Sequence, residues 1–101
     1  MPPGRSLTAP SGLAASFTAK SKKTATVNLT WSDTNTSETG SLIQRADNAA
    51  FSLGVVNATV GPNITTFSQS VTPGKTYYYR VLAFSDTLQS AWSNTASVTI
   101  P

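Results

Sequence analysis

Val71-Thr-Pro-Gly-Lys-Thr-Tyr-Tyr-Tyr-Arg-Val-Leu-Ala83 joins a Pro-Gly turn to the strongest β-forming run of the chain. Tyr and Val suit the pleated, half-buried surface of a sheet, whereas Pro-Gly is typical of a turn. Because successive side chains of a strand point to opposite faces, every second residue of 76–84 should share a face. The stretch predicts a long strand that begins just after a tight turn.

Six further β-type runs surround this strand, and polar or Gly/Pro-rich turns separate them. In one of these runs, Val27, Leu29 and Trp31 alternate with polar residues, as in a strand with one buried face. Turn signals recur about every dozen residues without helical periodicity, which favours a sandwich or a barrel. The predicted strands are residues 13–17, 25–32, 41–45, 54–60, 64–67, 76–84 and 96–100.

Composition argues against catalysis. The chain has 101 residues, enough for one domain, and it contains no His and no Cys. The commonest general base, the thiolate nucleophile and the usual transition-metal ligands are therefore missing. The four carboxylates are Asp33, Glu38, Asp47 and Asp86. Asp33 and Glu38 share one loop and could approach each other, but we expect a flexible loop on a small sandwich to offer no cleft that holds them across a substrate. We expect a protein that is not an enzyme and has no cofactor and no metal.

Two partner classes are disfavoured as well. The net charge is only +3, and the cluster Lys20, Lys22 and Lys23 could neutralise few phosphates, so we expect no nucleic-acid partner. No apolar run approaches the roughly 18 residues of a membrane span, so we expect no membrane insertion. Residues 33–38 are rich in oxygen ligands but lack the charge count and the Gly of a calcium loop, and we expect a solvated loop there.

Beyond this β pattern, the chain resembles a fibronectin type III domain of the bacterial type. Residues 71–83 match the family's apolar residue, Pro-Gly, and then Tyr-x-aromatic-Arg-Val-x-Ala. Residues 9–13 resemble the family's opening strand, and residues 27–31 resemble its second strand with the core Trp. Residues 90–94, Ser-Ala-Trp-Ser-Asn, are similar to a form common in bacterial members. The resemblance implies an all-β, seven-stranded antiparallel immunoglobulin-like β-sandwich.

The domain organisation follows from the same comparison. We expect a linker or leader in residues 1–8 and a single fibronectin type III-like domain in residues 9–101. The start is rich in Pro and Gly, and the sequence ends directly after a predicted strand. We therefore expect this domain to have been excised from a longer protein.

The alternation and the resemblance agree on which residues form the core. The resemblance implies that Tyr77 is the tyrosine corner, with its hydroxyl bonded to the backbone of residues 71–74. The family usually has Tyr or Phe where this chain has Ser41, and we expect Phe51 or Leu53 to fill that space. The predicted core is Trp31, Tyr77, Tyr79, Val81 and Ile43, with Leu13, Phe17, Val27, Leu29, Phe67, Ala83, Val98 and Ile100.

The opposite face of the long strand is a candidate site. Tyr78, Arg80, Leu82 and Phe84 should point outward, beside Leu42 and Gln44 of a neighbouring strand, and form an unusually apolar surface. In one interpretation Trp92 stacks over Arg80 and covers the face, similar to the Trp-Arg ladders of related receptor modules. In the other interpretation the same residues bind a neighbouring domain or a ligand.

The resemblance implies a non-catalytic module of a larger secreted or cell-surface protein, because bacterial members commonly accompany polysaccharide hydrolases and adhesins. Such a module would be a spacer and a protein or glycan interaction domain. Its partners would be neighbouring domains of the same polypeptide, and a polysaccharide or protein ligand. Two alternatives stay open: a carbohydrate-binding module that uses exposed aromatics, and a structural subunit of an extracellular filament or phage particle.

Overall fold

The computed structural model describes residues 7–18, 21–35, 38–86 and 88–101. Most of the predicted leader and Lys20 of the lysine cluster lie outside the described residues. Within that part, no helix is long and apolar enough to cross a membrane. The strands are β1 (Ser11–Thr18), β2 (Ala25–Ser32), β3 (Gly40–Ala46), β4 (Val56–Val60), β5 (Thr66–Val71), β6 (Lys75–Ser85), β7 (Leu88–Gln89) and β8 (Ala96–Ile100).

The strands form two antiparallel sheets. One sheet has the order β1-β2-β5; the other has the order β4-β3-β6, and both β7 and β8 pair with the remaining edge of β6. On one side of the sandwich β1 contacts β8, and on the other side β4 and β5 are the last strands of their sheets. The predicted immunoglobulin-like β-sandwich is confirmed. The short strand β7 is an addition, because the sequence predicted a loop there.

Alternation of side chains explains why these segments form strands. In β2, Val27, Leu29 and Trp31 are buried while Thr30 and Ser32 are exposed. An apolar residue at every second position lets one face of a strand leave water while the other face stays hydrated. This pattern gives β2 a single favourable register against its neighbours, because a shift by one residue would expose the whole apolar set.

The fourth strand begins two residues later than the sequence predicted. Gly54 has a φ of 59°, a left-handed conformation that does not continue a strand. The carboxylate of Asp47 lies where a Cβ on residue 54 would be, so a larger residue would collide with it. The backbone amide of Asp47 also donates to the carbonyl of Leu53. The loop between β3 and β4 therefore closes on itself before β4 starts at Val56.

The core lies between the two sheets and is built from the predicted residues. Eleven of them are buried, and Phe17 and Phe67 pack against the cluster as half-buried neighbours. The expectation for the space beside Ser41 was wrong. Leu53 is 61% exposed, and Phe51 packs against Arg80 outside the core cluster. Ser41 is itself buried, opposite Ala83 on β6, so two small side chains meet there.

The turn between β5 and β6 is closed by one tyrosine. The hydroxyl of Tyr77 donates to the carbonyl of Thr72 at 2.8 Å and accepts from the amide of Thr72 at 3.0 Å. Gly74, with a φ of 86°, donates its amide to the carbonyl of Ile100 at 2.8 Å. The ring of Tyr77 is buried, so its hydroxyl supplies the partners that this backbone would otherwise lack.

Strand register shows that β1 begins and β8 ends at opposite ends of the sandwich. Ser11 of β1 pairs with Ser32, the last residue of β2. Ile100 of β8 pairs with Lys75, the first residue of β6. The end of β2 and the start of β3 lie beside the end of β6, where Gly40 pairs with Phe84. The first strand therefore begins at one end of the molecule, and the last strand ends at the other.

The Tyr77→Phe variant should lower the free energy of unfolding by about 1–3 kcal/mol, because the backbone amide and carbonyl of Thr72 both lose their hydrogen bonds to the tyrosine hydroxyl. Tyr78→Phe is the matched control. Tyr78 is half-buried, and its hydroxyl has no hydrogen bond among the described residues. Chemical denaturation of both variants measures the difference. Equal losses at the two positions would contradict this role of Tyr77.

Candidate functional site

The face of β6 that points away from the core carries Tyr78, Arg80, Leu82 and Phe84, and we call it the outer face. Leu82 pairs with Leu42 of β3, and Arg80 pairs with Gln44. The two sheet neighbours that the sequence placed on this face therefore lie beside it.

Arg80 lies between two aromatic rings on the outer face. Its guanidinium carbon is 4.2 Å from the ring centroid of Trp92 and 4.2 Å from that of Phe51. Its Nε donates to Gln44 at 2.8 Å, and the amide of Gln44 donates to Asn57 on β4 at 3.1 Å. Burial lowers the pKa of Arg80, but a guanidinium keeps its charge at neutral pH. Through Arg80 and Gln44, the arrangement links β6, β3 and β4.

Two serines hold Trp92 in place over Arg80. The amide of Ser93 donates to the carbonyl of Val81 at 2.7 Å, and Ser93 Oγ accepts from the amide of Val81 at 3.0 Å. Ser90 makes the same pair of bonds with Ala83, at 2.9 Å each. Each serine thus satisfies one residue at the edge of β6 in place of a strand partner. The tryptophan between the serines is directed over the outer face.

The predicted site residues differ in how much surface they offer. Tyr78, Arg80, Phe84 and Trp92 are half-buried, whereas Leu82 is only 4% exposed. Leu82 faces outward as predicted, but Arg80 with its two rings and Phe84 flank it on the same face. The expected exposure of Leu82 is therefore wrong, and this residue offers almost no contact area to a ligand.

Phe51 is the residue of this arrangement that sequence reasoning misplaced. It lies in the loop between β3 and β4, has a φ of 55°, and donates its amide to the carbonyl of Asn48 at 3.1 Å. The side chain of Asn48 accepts from the amides of Ser52 and Leu53. A single Phe in a loop carries no periodicity that could show which face it covers. The signal that was available is Asn48, because Asn favours such local turns.

A second candidate lies on the open side of the sandwich, between β4 and β5. A cleft of about 520 Å³ is lined there by Lys23, Arg45, Lys75, Asp47, Tyr77 and Val56, among others. Lys75 Nζ is 3.2 Å from Asp47 Oδ1. The charged groups of Arg45 and Lys75 are each 5.3 Å from the ring centroid of Tyr77. The cleft therefore holds three cationic side chains and one carboxylate.

Gln69 on β5 holds the side chain of Arg45, one of the residues that line this cleft. Its Oε1 accepts from Arg45 Nη1 at 3.1 Å and from the hydroxyl of Tyr79 at 3.1 Å. Burial raises the pKa of Tyr79 to about 12, so the phenol stays protonated and donates. Arg45 Nε is buried without a hydrogen-bond acceptor among the described residues. The guanidinium of Arg45 thus has donor capacity that the cleft leaves unused.

The loop that the sequence predicted to be solvated holds a buried acid. Glu38 is 6% exposed, and residues 36–37 lie outside the described residues. Burial raises the pKa of Glu38, and the hydrogen-bonded carboxyl of Asp33 raises it further, against an opposing backbone hydrogen bond from Asn63. The described residues contain no cluster of three or more His, Cys, Asp or Glu that could hold a metal ion.

Comparison with known proteins gives structural relatives only. No protein-family model and no curated protein matches the chain. An Fn3-like protein from Clostridium thermocellum is 28% identical, with a TM-score of 0.61, and the match covers 96% of each chain. The FN1–FN3 domains of chicken CNTN1 are 19% identical, with a TM-score of 0.71, over 94% of this chain and 32% of that one. Titin kinase with its flanking domains is 18% identical, with a TM-score of 0.70, over 96% of this chain and only 18% of that one.

If Trp92 stabilises the domain through Arg80, a double-mutant cycle with Trp92→Ala and Arg80→Ala should show a coupling free energy of about 0.5–2 kcal/mol. A cycle between Arg80→Ala and Phe84→Ala is the matched control, because four residues along a strand separate these side chains by about 13 Å. That second cycle should be additive. Zero coupling between Trp92 and Arg80, with an unchanged melting temperature for Trp92→Ala, would contradict a structural lid.

Glu38→Gln should stabilise the domain at pH 7, and the gain should shrink as the pH falls through the folded pKa of Glu38 and vanish below about 4.5, where the carboxyl is protonated in both states. A folded-state pKa above the ordinary value means that the unfolded chain ionises first as the pH rises. The native carboxyl therefore begins to cost stability as the pH rises above about 4.5, and the cost is complete once the pH exceeds the folded pKa. Melting temperatures across this pH range give the test, with exposed Asp86→Asn as the control for losing one negative charge. Lower stability of Glu38→Gln at pH 7 would show that the ionised carboxylate makes a favourable contact.

Proposed function

We propose that this chain, a fibronectin type III-like domain, is a non-catalytic module that holds neighbouring domains apart in a longer protein and offers them a contact surface. Bacterial members of this family accompany polysaccharide hydrolases and adhesins, and on that basis we propose that the parent protein is secreted or lies at the cell surface. The proposed partners are the neighbouring domains and a protein or polysaccharide ligand.

The observation that carries the proposal is that the chain enters and leaves the sandwich at opposite ends. Residue 11 lies beside the end of β2, and residue 100 lies beside the start of β6. β6 has 11 residues, and a strand rises about 3.3 Å per residue, so its ends are about 35 Å apart. Domains attached at the two ends of the sandwich would be separated by roughly this distance.

Two asparagines fasten the incoming chain to the body of the domain. The side chain of Asn94 donates to the carbonyl of Leu13 at 3.0 Å and accepts from its amide at 2.9 Å. Asn35 makes the same pair of bonds with Thr8, at 2.7 and 2.8 Å. Each amide thus pairs with a backbone as a neighbouring strand would. Such pairing fixes the direction from which a preceding domain would approach, as a spacer requires.

The contact surface of the proposed module includes the exposed parts of the outer face. Trp92 presents one ring face to Arg80, and its half-buried side chain keeps some area for a neighbour. A sugar-stacking platform would need broad exposed rings, and Leu82 adds almost no area between Arg80 and Phe84. The geometry therefore supports a lateral contact with an adjoining domain better than the binding of a polysaccharide chain.

The spacer function can be tested by placing the chain between two well-folded reporter domains and measuring the distances between them by small-angle scattering. We expect a narrow distribution of reporter separations. A Gly/Ser linker of equal length should give a broad one, because a flexible chain scales as about 5–6 Å times the square root of its length. Trp31→Ala, which removes a buried tryptophan at a cost of about 3–5 kcal/mol, should broaden the distribution. An equally broad distribution for the unaltered chain would contradict the proposal.

A further inference from the structure

The open side of the sandwich has two unprotected strand edges. Within the residues that the structure describes, β4 and β5 each pair on one side only, and they flank the cleft that contains Arg45. Natural sheets usually protect such edges with charged side chains, proline or bulges. Residues 48–74, which include both strands, contain no charged side chain, and the prolines of this stretch lie in turns. The register of β4 on β3 is regular over all of its pairs.

Apolar surface lies at the start of β4, next to the cleft. Val55 is 40% exposed, Val56 is 39% exposed, and Leu53 just before them is 61% exposed. Val55 and Val56 also line the cleft. The edge of β4 therefore combines unpaired backbone groups, exposed β-branched side chains and nearby cations.

Strand register shows how an added strand would face the cations. Val56 pairs with Arg45, whose side chain reaches inward to Gln69 on β5. A residue opposite Val56 on an added strand would share that inward face, two strand spacings or about 10 Å from Arg45. The side chains of a glutamate and an arginine together span that distance. A carboxylate at this position would meet Arg45 and the exposed ends of Lys23 and Lys75.

We propose that the edge of β4 binds an extended segment of a partner protein that pairs with β4 and directs an acidic side chain into the cleft. This inference rests on the proposed role as a contact module and names the chemistry of one partner. Backbone pairing supplies affinity in such strand addition, and alternate side chains supply specificity. Three cations against one carboxylate favour an acidic partner. A second copy of this chain fits less well, because its own edge strands carry no carboxylate to place there.

The test uses an octapeptide in which Thr and Val alternate and Glu replaces one central Val. A control peptide has Gln in place of this Glu. Titration of the ¹⁵N-labelled 101-residue chain, followed by NMR, should shift the amides of Val56–Val60. The Gln peptide should bind about tenfold more weakly, the effect of one partly desolvated charged hydrogen bond. Two further peptides, N-methylated at odd or at even positions, separate backbone pairing from charge. Only one of the two should lose binding, because alternate amides of a strand point away from its partner.

Two lysines of one turn provide matched variants of the domain. Lys23 lines the cleft and Lys22 does not, and both are exposed. Lys23→Gln should weaken binding of the Glu peptide several-fold, whereas Lys22→Gln should leave it unchanged. Both variants should keep the melting temperature and the reporter spacing of the parent, so a failure here is distinguishable from a failure of the spacer function.

Four outcomes would overturn the inference. They are equal binding of the Glu and Gln peptides, equal binding of the two N-methylated peptides, amide shifts confined to the outer face around Trp92, and no binding of any peptide at millimolar concentration. A further measurement is the mass of the free chain by light scattering. A dimer that excludes the peptide from β4 would identify a second copy, not an acidic partner, as the occupant of the edge.

Discussion

The register of β6 fixes both faces of the larger sheet. β6 bonds β3 along one edge, and β8, Ser93, Ser90 and β7 follow one another along its other edge. A slip by one residue would exchange the two sets of side chains between the core and the solvent. Such a slip would place the guanidinium of Arg80 in the core, where an unpaired charge is very costly. The alternation of apolar residues with a single arginine thus specifies one arrangement of the strand.

This register could be predicted from the sequence because it depends on local periodicity. The inward set from Tyr77 to Ala83 and the outward set from Tyr78 to Phe84 follow from the period of a strand. The long-range partners of those residues have no such period. Phe51 reaches Arg80 from a turn with a left-handed residue, and a loop without a repeating pattern does not show which face it covers. The stack over Arg80 could therefore be predicted only for its Trp92 half.

Glu38 is another residue whose surroundings could not be predicted from the sequence, because the structure buries a side chain that the sequence placed in a solvated loop. Residues 33–38 are polar throughout, and polarity normally indicates a solvated loop. Burial of Glu38 depends on where the loop packs, and Asn63, whose backbone lowers the pKa of the Glu38 carboxyl, is 25 positions away in the chain. β7 was missed for a related reason. Two residues are too few to show alternation, and their pairing depends on how far β6 continues past Phe84.

The two sides of the sandwich differ in how the backbone groups at their strand edges are paired. On the side of β1 and β8, the amide of Asn94 pairs with the backbone of Leu13, and two serines pair with β6, so side chains occupy positions that a strand would take. On the side of β4 and β5, the charge-free stretch supplies no such substitute. The unused donor of Arg45 lies beside this unsatisfied edge. A domain that serves only as a spacer would gain solubility from one lysine placed on β4, since a charged edge resists pairing with other chains. The combination of a bare edge with a cationic cleft is instead the arrangement expected where a second chain completes the sheet.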